Sequence, residues 1–129
     1  MIIIKNNKKI SKFQLEFLEK YHNNHITHKI FVELNISEFI KIKEKETGTE
    51  LDRLTKSRAR NLFIDIYDST YDKVFEVNGN QHYEFNTLFH KNIGDLDRQR
   101  LNDSIKKRVV EFFGCEFIEI NQGNLREVR

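Results

Sequence analysis

Between Leu62 and His82 the chain reads LFIDIYDSTYDKVFEVNGNQH, two short apolar runs joined by a polar turn, each with one carboxylate inside it. NLFIDIYD is nearly continuous in apolar residues, the pattern of a strand covered on both faces. DSTYD suits a hairpin connection, and KVFEVNGN supplies the second strand. With a period of two, Asp65 shares a face with Phe63 and Tyr67, and Val74, Glu76 and Asn78 share a face opposite Phe75 and Val77. An acid within an apolar strand is costly to bury unless it is paired or bound to a cation. Two of them on neighbouring strands make a candidate site for a hard metal.

The remaining chain supplies elements to flank these strands. Residues 1–9 read as a short strand or ordered arm. Ser11 caps an amphipathic helix carrying Phe13, Leu15, Phe17 and Leu18, with Gln14, Glu16 and Glu19 on its polar side. His22, His25 and His28 follow at a spacing wrong for a helical zinc pair, so a solvated helix end is the expectation. Residues 28–34 alternate as a strand, and residues 36–58 form an irregular helical insert. Within it Ser37 and Glu38 could cap a helix, EFIKIKEK could equally be a strand, and Gly48 breaks the pattern before Leu51 and Leu54. Residues 83–95 read as a loop. A long helix from Asp95 or Asp97 carries the stripe Leu101, Ile105, Val109 and Phe112/Phe113, ends at Gly114, and leads to the strand CEFIEI.

Composition narrows the function classes. The 129 residues fit one domain with a core at about 10–121, and eleven Phe and four Tyr can fill it. A formal net charge of +2 with 33% charged residues permits a nucleic-acid partner without requiring one. Cys115 is the single cysteine, so neither a disulfide framework nor a cysteine-type zinc site forms within one chain. MIIIKNNKKISKF is too short an apolar run for a secretory core or membrane span. A soluble, intracellular protein with no membrane partner is expected. Lys56, Arg58 and Arg60 precede the Asp65 strand, either as a charged loop or as phosphate contacts at the mouth of a site.

Taken in order, these motifs resemble the PD-(D/E)XK nucleases, in the branch of the very-short-patch repair endonucleases and homing-type enzymes. The residues that carry the likeness are Asp65, then Glu76-Val77-Asn78-Gly79-Asn80-Gln81-His82, then Arg100-Leu101-Asn102-Asp103-Ser104-Ile105-Lys106, Gly114 and CEFIEI. They span roughly residues 60–120. The resemblance implies a restriction-endonuclease-like αβββαβ core, a small mixed sheet flanked by helices. It implies a Mg²⁺-dependent DNA endonuclease, with Mn²⁺ able to substitute. Asp65, Glu76 and the carbonyl of Val77 would hold the cation, and His82 would be the acid/base, with Gln81 beside it where other branches keep a lysine. Asp103 and Asn78 would support the site, with Gln14, Glu16 or Glu19 from the N-terminal helix; Lys106 would support it or contact phosphate, and Lys56, Arg58, Arg60, Arg100 and Lys107 would contact DNA. Asn78 stands where relatives have Asp or His, which favours the alternative of a weak or inactive nucleic-acid-binding module that keeps the nuclease fold. The patch-repair zinc cysteines are absent. Symmetric double-strand cutting calls for two sites, so a homodimer stays open beside a nicking monomer.

Overall fold

The computed structural model describes residues 1–6, 10–77 and 93–121. Its elements run β1 (Ile2–Ile4), α1 (Lys12–Asn24), β2 (Ile30–Asn35), α2 (Ile36–Thr47), α3 (Arg53–Ala59), β3 (Phe63–Asp68), β4 (Lys73–Val77), α4 (Ile93–Phe112) and β5 (Glu116–Ile120). The strands form one mixed sheet in the order β1-β2-β3-β4-β5. β2, β3 and β4 make an antiparallel meander, while β1 lies parallel to β2 and β5 parallel to β4. No described helix is long and apolar enough to cross a membrane.

Two cores cover the two faces of the sheet. On one, Phe17, Leu18 and Tyr21 of α1 pack on Ile30, Val32, Ile66, Phe75, Val77 and Ile120. On the other, Phe39 and Ile40 of α2, Ala59 of α3 and Val109, Val110 and Phe113 of α4 pack on Phe31, Leu34, Ile64, Tyr67 and Val74. The apolar run of β3 is thus divided between the two layers, as a strand covered on both faces requires.

Period two does not hold through β2 and β3. Val32 and Leu34 are two residues apart yet enter opposite cores, and so do Ile66 and Ile64. The register pairs Val32 with Ile66 and Leu34 with Ile64, so both strands change faces at the same level, between Glu33 and Asp65. Glu33 sits there with φ +56°, in the left-handed region that costs a non-glycine residue of the order of 1 kcal/mol or more. Asp65 is consequently separated from Tyr67, whose ring belongs to the α2 side.

Several helix boundaries and faces depart from the periodic reading. Ser11 does cap α1, accepting the Gln14 N–H at 3.1 Å, but Gln14 is buried because it continues the stripe of Phe17, Leu18 and Tyr21 one turn earlier. The insert is two regular helices. Asn35, rather than Ser37, caps α2 through its side-chain oxygen on the Ser37 N–H at 2.8 Å. The stripe Ile36, Phe39, Ile40 and Lys43 has helical spacing, which excludes the strand alternative. Leu54 is exposed on α3. α4 begins at Ile93, and its buried face is rotated toward Asp103, leaving Leu101 and Phe112 exposed. α2 ends at Gly48 with φ +71° and open space around the position of a Cβ, so the only strain in an alanine there is backbone strain. Gly48→Ala should cost about 1 kcal/mol, read as a thermal midpoint lower by about 4 °C.

Two of the three histidines, His25 and His28, depart from the expected solvated helix end. His28 is buried, with Nδ1 2.6 Å from Asp68 Oδ2, and the Tyr21 hydroxyl donates to the same oxygen at 2.5 Å. His25 stacks on the Tyr21 ring, with centroids 4.1 Å apart. Asp68 Oδ1 accepts the Thr70 and Tyr71 N–H groups at 2.9 and 3.3 Å, which closes the β3–β4 turn. Burial pushes the Asp68 carboxyl up, but Tyr21, His28 and these amides outweigh it and hold the group below its ordinary range.

Candidate functional site

At the level where β2 and β3 change faces, the sheet opens into a cavity of about 420 Å³. Glu33 of β2, Asp65 of β3 and Glu76 of β4 all line it, one acid from each of three adjacent strands. The β3–β4 ladder pairs Ile66 with Phe75, and Asp65 and Glu76 are the next residues toward the cavity. The Asp65 side chain takes over there: its Oδ2 accepts the Val77 N–H at 2.9 Å. Asp65 and Glu76 therefore meet in one cavity, as the alternation of β4 anticipates.

Each outer acid has one oxygen engaged by a helix and one left over. Gln14 of α1 donates its amide to Glu33 Oε1 at 3.3 Å and to the Asp65 carbonyl at 3.5 Å. Lys106 of α4 donates to Glu76 Oε1 at 2.5 Å. Glu33 Oε2 and Glu76 Oε2 are buried without a hydrogen-bond partner among the described residues. Both residues are only 2% exposed, so the two orphan oxygens represent a real desolvation cost. Gln99, Asn102 and Asp103 of α4 complete that wall, at helical spacing from Lys106.

The electrostatics show negative charge crowded around Glu76. Burial first, and then the neighbouring Asp65 charge, push the Glu76 carboxyl well above the ordinary range, against the pull of Lys106. Burial pulls the Lys106 ammonium down, yet Glu76, Asp65 and Asp103 outweigh it and hold it above its usual value. Lys106 faces Glu76, Asp65 and Asp103 and stays an ammonium, while the deeply buried Glu76 carboxyl bears the cost of the crowded negative charge.

All the donors are hard oxygens, which suits Mg²⁺, an ion usually bound through one or two carboxylates with waters and substrate phosphates completing its shell. Among the described residues no three His, Cys, Asp or Glu side chains converge to cage a metal by themselves. A site completed by substrate is consistent with both observations.

The other expected site residues are distributed unevenly. Lys106 lies in the cavity wall, with its side chain 12% exposed and ion-paired, rather than on the surface as a DNA contact. Asp103 is buried beside it. Glu16 is exposed on α1 and outside the cavity, the inward place being taken by Gln14. Val77 lines the cavity and presents its N–H to Asp65. Lys56 pairs with Glu44 at 2.8 Å, and Arg58, Arg60, Arg100 and Lys107 are exposed. Asn78, Gln81 and His82 lie outside the described residues, as does most of the loop expected at 83–95. Sequence reasoning missed Glu33, hidden in HKIFVEL as an ordinary outward residue of an alternating strand. The only signal was another acid in an apolar run.

No family model and no solved structure matches the chain. It is similar to uncharacterized protein 033L of Invertebrate iridescent virus 3, with 38% identity over 60 residues, 46% of this chain and 31% of that protein. It is also similar to uncharacterized protein 094L of Frog virus 3 (isolate Goorha), with 33% identity over 76 residues, 54% of this chain and 49% of that protein. The chain thus spans less than half the length of either relative.

Proposed function

We propose that this chain is a divalent-cation-dependent DNA endonuclease, with Asp65 and Glu76 holding Mg²⁺ and Glu33 as a third acid of the same site. The single observation that carries this reading is the row Glu33, Asp65 and Glu76 across β2, β3 and β4, with an orphan oxygen at each end. The order α1-β2-β3-β4-α4-β5 also supports a restriction-endonuclease-like αβββαβ core, with α2 and α3 as the insert. When bound, the cation polarises a phosphodiester and lowers the pKa of an attacking water.

The chain's own residues do the positioning. Gln14 fixes Glu33 and the Asp65 backbone together, and the Val77 N–H fixes the Asp65 carboxylate. Lys106, held protonated, can pass from Glu76 to a phosphate oxygen once another cation neutralises that carboxylate. His82 keeps the acid/base role that the resemblance gives it. A monomer with one such site nicks; a homodimer would cut both strands.

One observation favours a second reading, a nucleic-acid-binding module without turnover. Lys106 already stands on Glu76 as an internal counter-charge. The two readings separate on plasmid and branched DNA incubated with Mg²⁺ or Mn²⁺. Metal-dependent nicking or cutting that stops in excess EDTA is the expected result. Salt-sensitive binding with no cleavage of any substrate would support the module instead, and cleavage that survives EDTA would sink the cation role.

A further inference from the structure

A second concavity, of about 380 Å³, lies between α2 and α3. Lys41, Arg53, Lys56 and Arg60 line it, with Ser37 and Ile40. Its one acid, Glu44, is already engaged by Lys56 Nζ at 2.8 Å and by the Leu51 N–H at 2.8 Å. Several cations outside the groove are ion-paired: Lys5 with Glu38, Lys43 with Glu46 and Asp72, Lys106 with Glu76. Among the described residues no carboxylate pairs with Lys41, Arg53 or Arg60. Three positive charges without a carboxylate partner thus line one groove, whose single acid is already engaged.

The groove and the acid-lined cavity are neighbours along the chain. Arg60 belongs to the groove, and the next two residues, Asn61 and Leu62, line the cavity. Like charges held together without partners repel one another, and a polyanion relieves that repulsion. The exposed Arg53 and Arg60 guanidinium forks and the exposed Lys41 ammonium suit phosphate oxygens at successive positions. Arg58, which the sequence groups with Lys56 and Arg60, instead lies beside Leu101 and Asn102, outside the groove.

We propose that the α2–α3 groove holds the sugar-phosphate backbone of the nucleic acid whose scissile bond enters the acid-lined cavity, with Lys41, Arg53 and Arg60 as phosphate contacts. This rests on the nuclease reading for its substrate, but its binding test stands apart from cleavage.

The test uses the full chain in EDTA, with labelled single-stranded DNA, duplex DNA and RNA of one sequence, titrated with salt. Lys41→Ala combined with Arg53→Ala, both exposed helix positions, should weaken binding and flatten the log–log salt slope by about 2. Removing the same number of charges at Lys29 and Lys45, both outside the groove, should leave the slope unchanged. Wild-type slope in the groove variant, equal loss in the control variant, or equally tight binding of polyglutamate would each overturn the proposal. Failure of the wild type to cleave bears on the nuclease reading alone.

Discussion

Asp65→Asn should lower metal-dependent cleavage by on the order of 10³-fold while leaving the chain folded. The asparagine oxygen can still accept the Val77 N–H that Asp65 Oδ2 accepts at 2.9 Å, so the strand junction keeps its hydrogen bond. What is lost is the charge at the centre of the row. The same change removes a repulsion that holds the Glu76 carboxyl high, so that group moves back toward its ordinary range. Glu33→Gln keeps a partner for the Gln14 amide and removes an outer charge; its cost should be smaller, about 10–100-fold. Circular dichroism and thermal melts on both variants separate lost chemistry from lost fold. An Asp65→Asn protein that cuts DNA at the wild-type rate would exclude Asp65 as a cation ligand.

Asp68→Ala should destabilise the protein by about 3–5 kcal/mol, and lower the thermal midpoint by about 10–15 °C. The substitution strips the buried Tyr21 hydroxyl and His28 ring of their common partner and opens the turn at Thr70 and Tyr71. Because the Asp68 pKa is depressed on folding, its contribution is fully present above the unfolded carboxylate value and is lost as pH falls through the folded value. The stability gap between wild type and Asp68→Asn should therefore narrow as pH is lowered from about 5 toward 2. A gap that stayed constant over that range, measured by urea melts, would show that Asp68 contributes through packing and neutral hydrogen bonds only.

The readable parts of this chain were those governed by local spacing. The double-sided burial of β3, the shared face of Val74 and Glu76, the Ser11 cap and the left-handed Gly114 all follow from neighbours a few residues apart. What escaped depended on distant partners. The His28–Asp68 contact joins residues 40 apart, so the histidine run looked solvated. The resemblance brings Gln14 and Lys106 toward the site, but their partners Glu33 and Glu76 are fixed only by the fold. Glu33 itself was concealed by a break in period that no residue type announces, since its left-handed backbone is occupied by glutamate rather than glycine.

The shared face change of β2 and β3 has a consequence for how the protein can go wrong. A slip of β3 by one residue would turn Ile64, Ile66 and Tyr67 away from their cores and draw Asp65 out from between Glu33 and Glu76. Hydrophobic cores and acid row are thus indexed by the same pairing. A misaligned sheet thus loses its packing and its acid row together, and no half-correct conformer keeps one without the other.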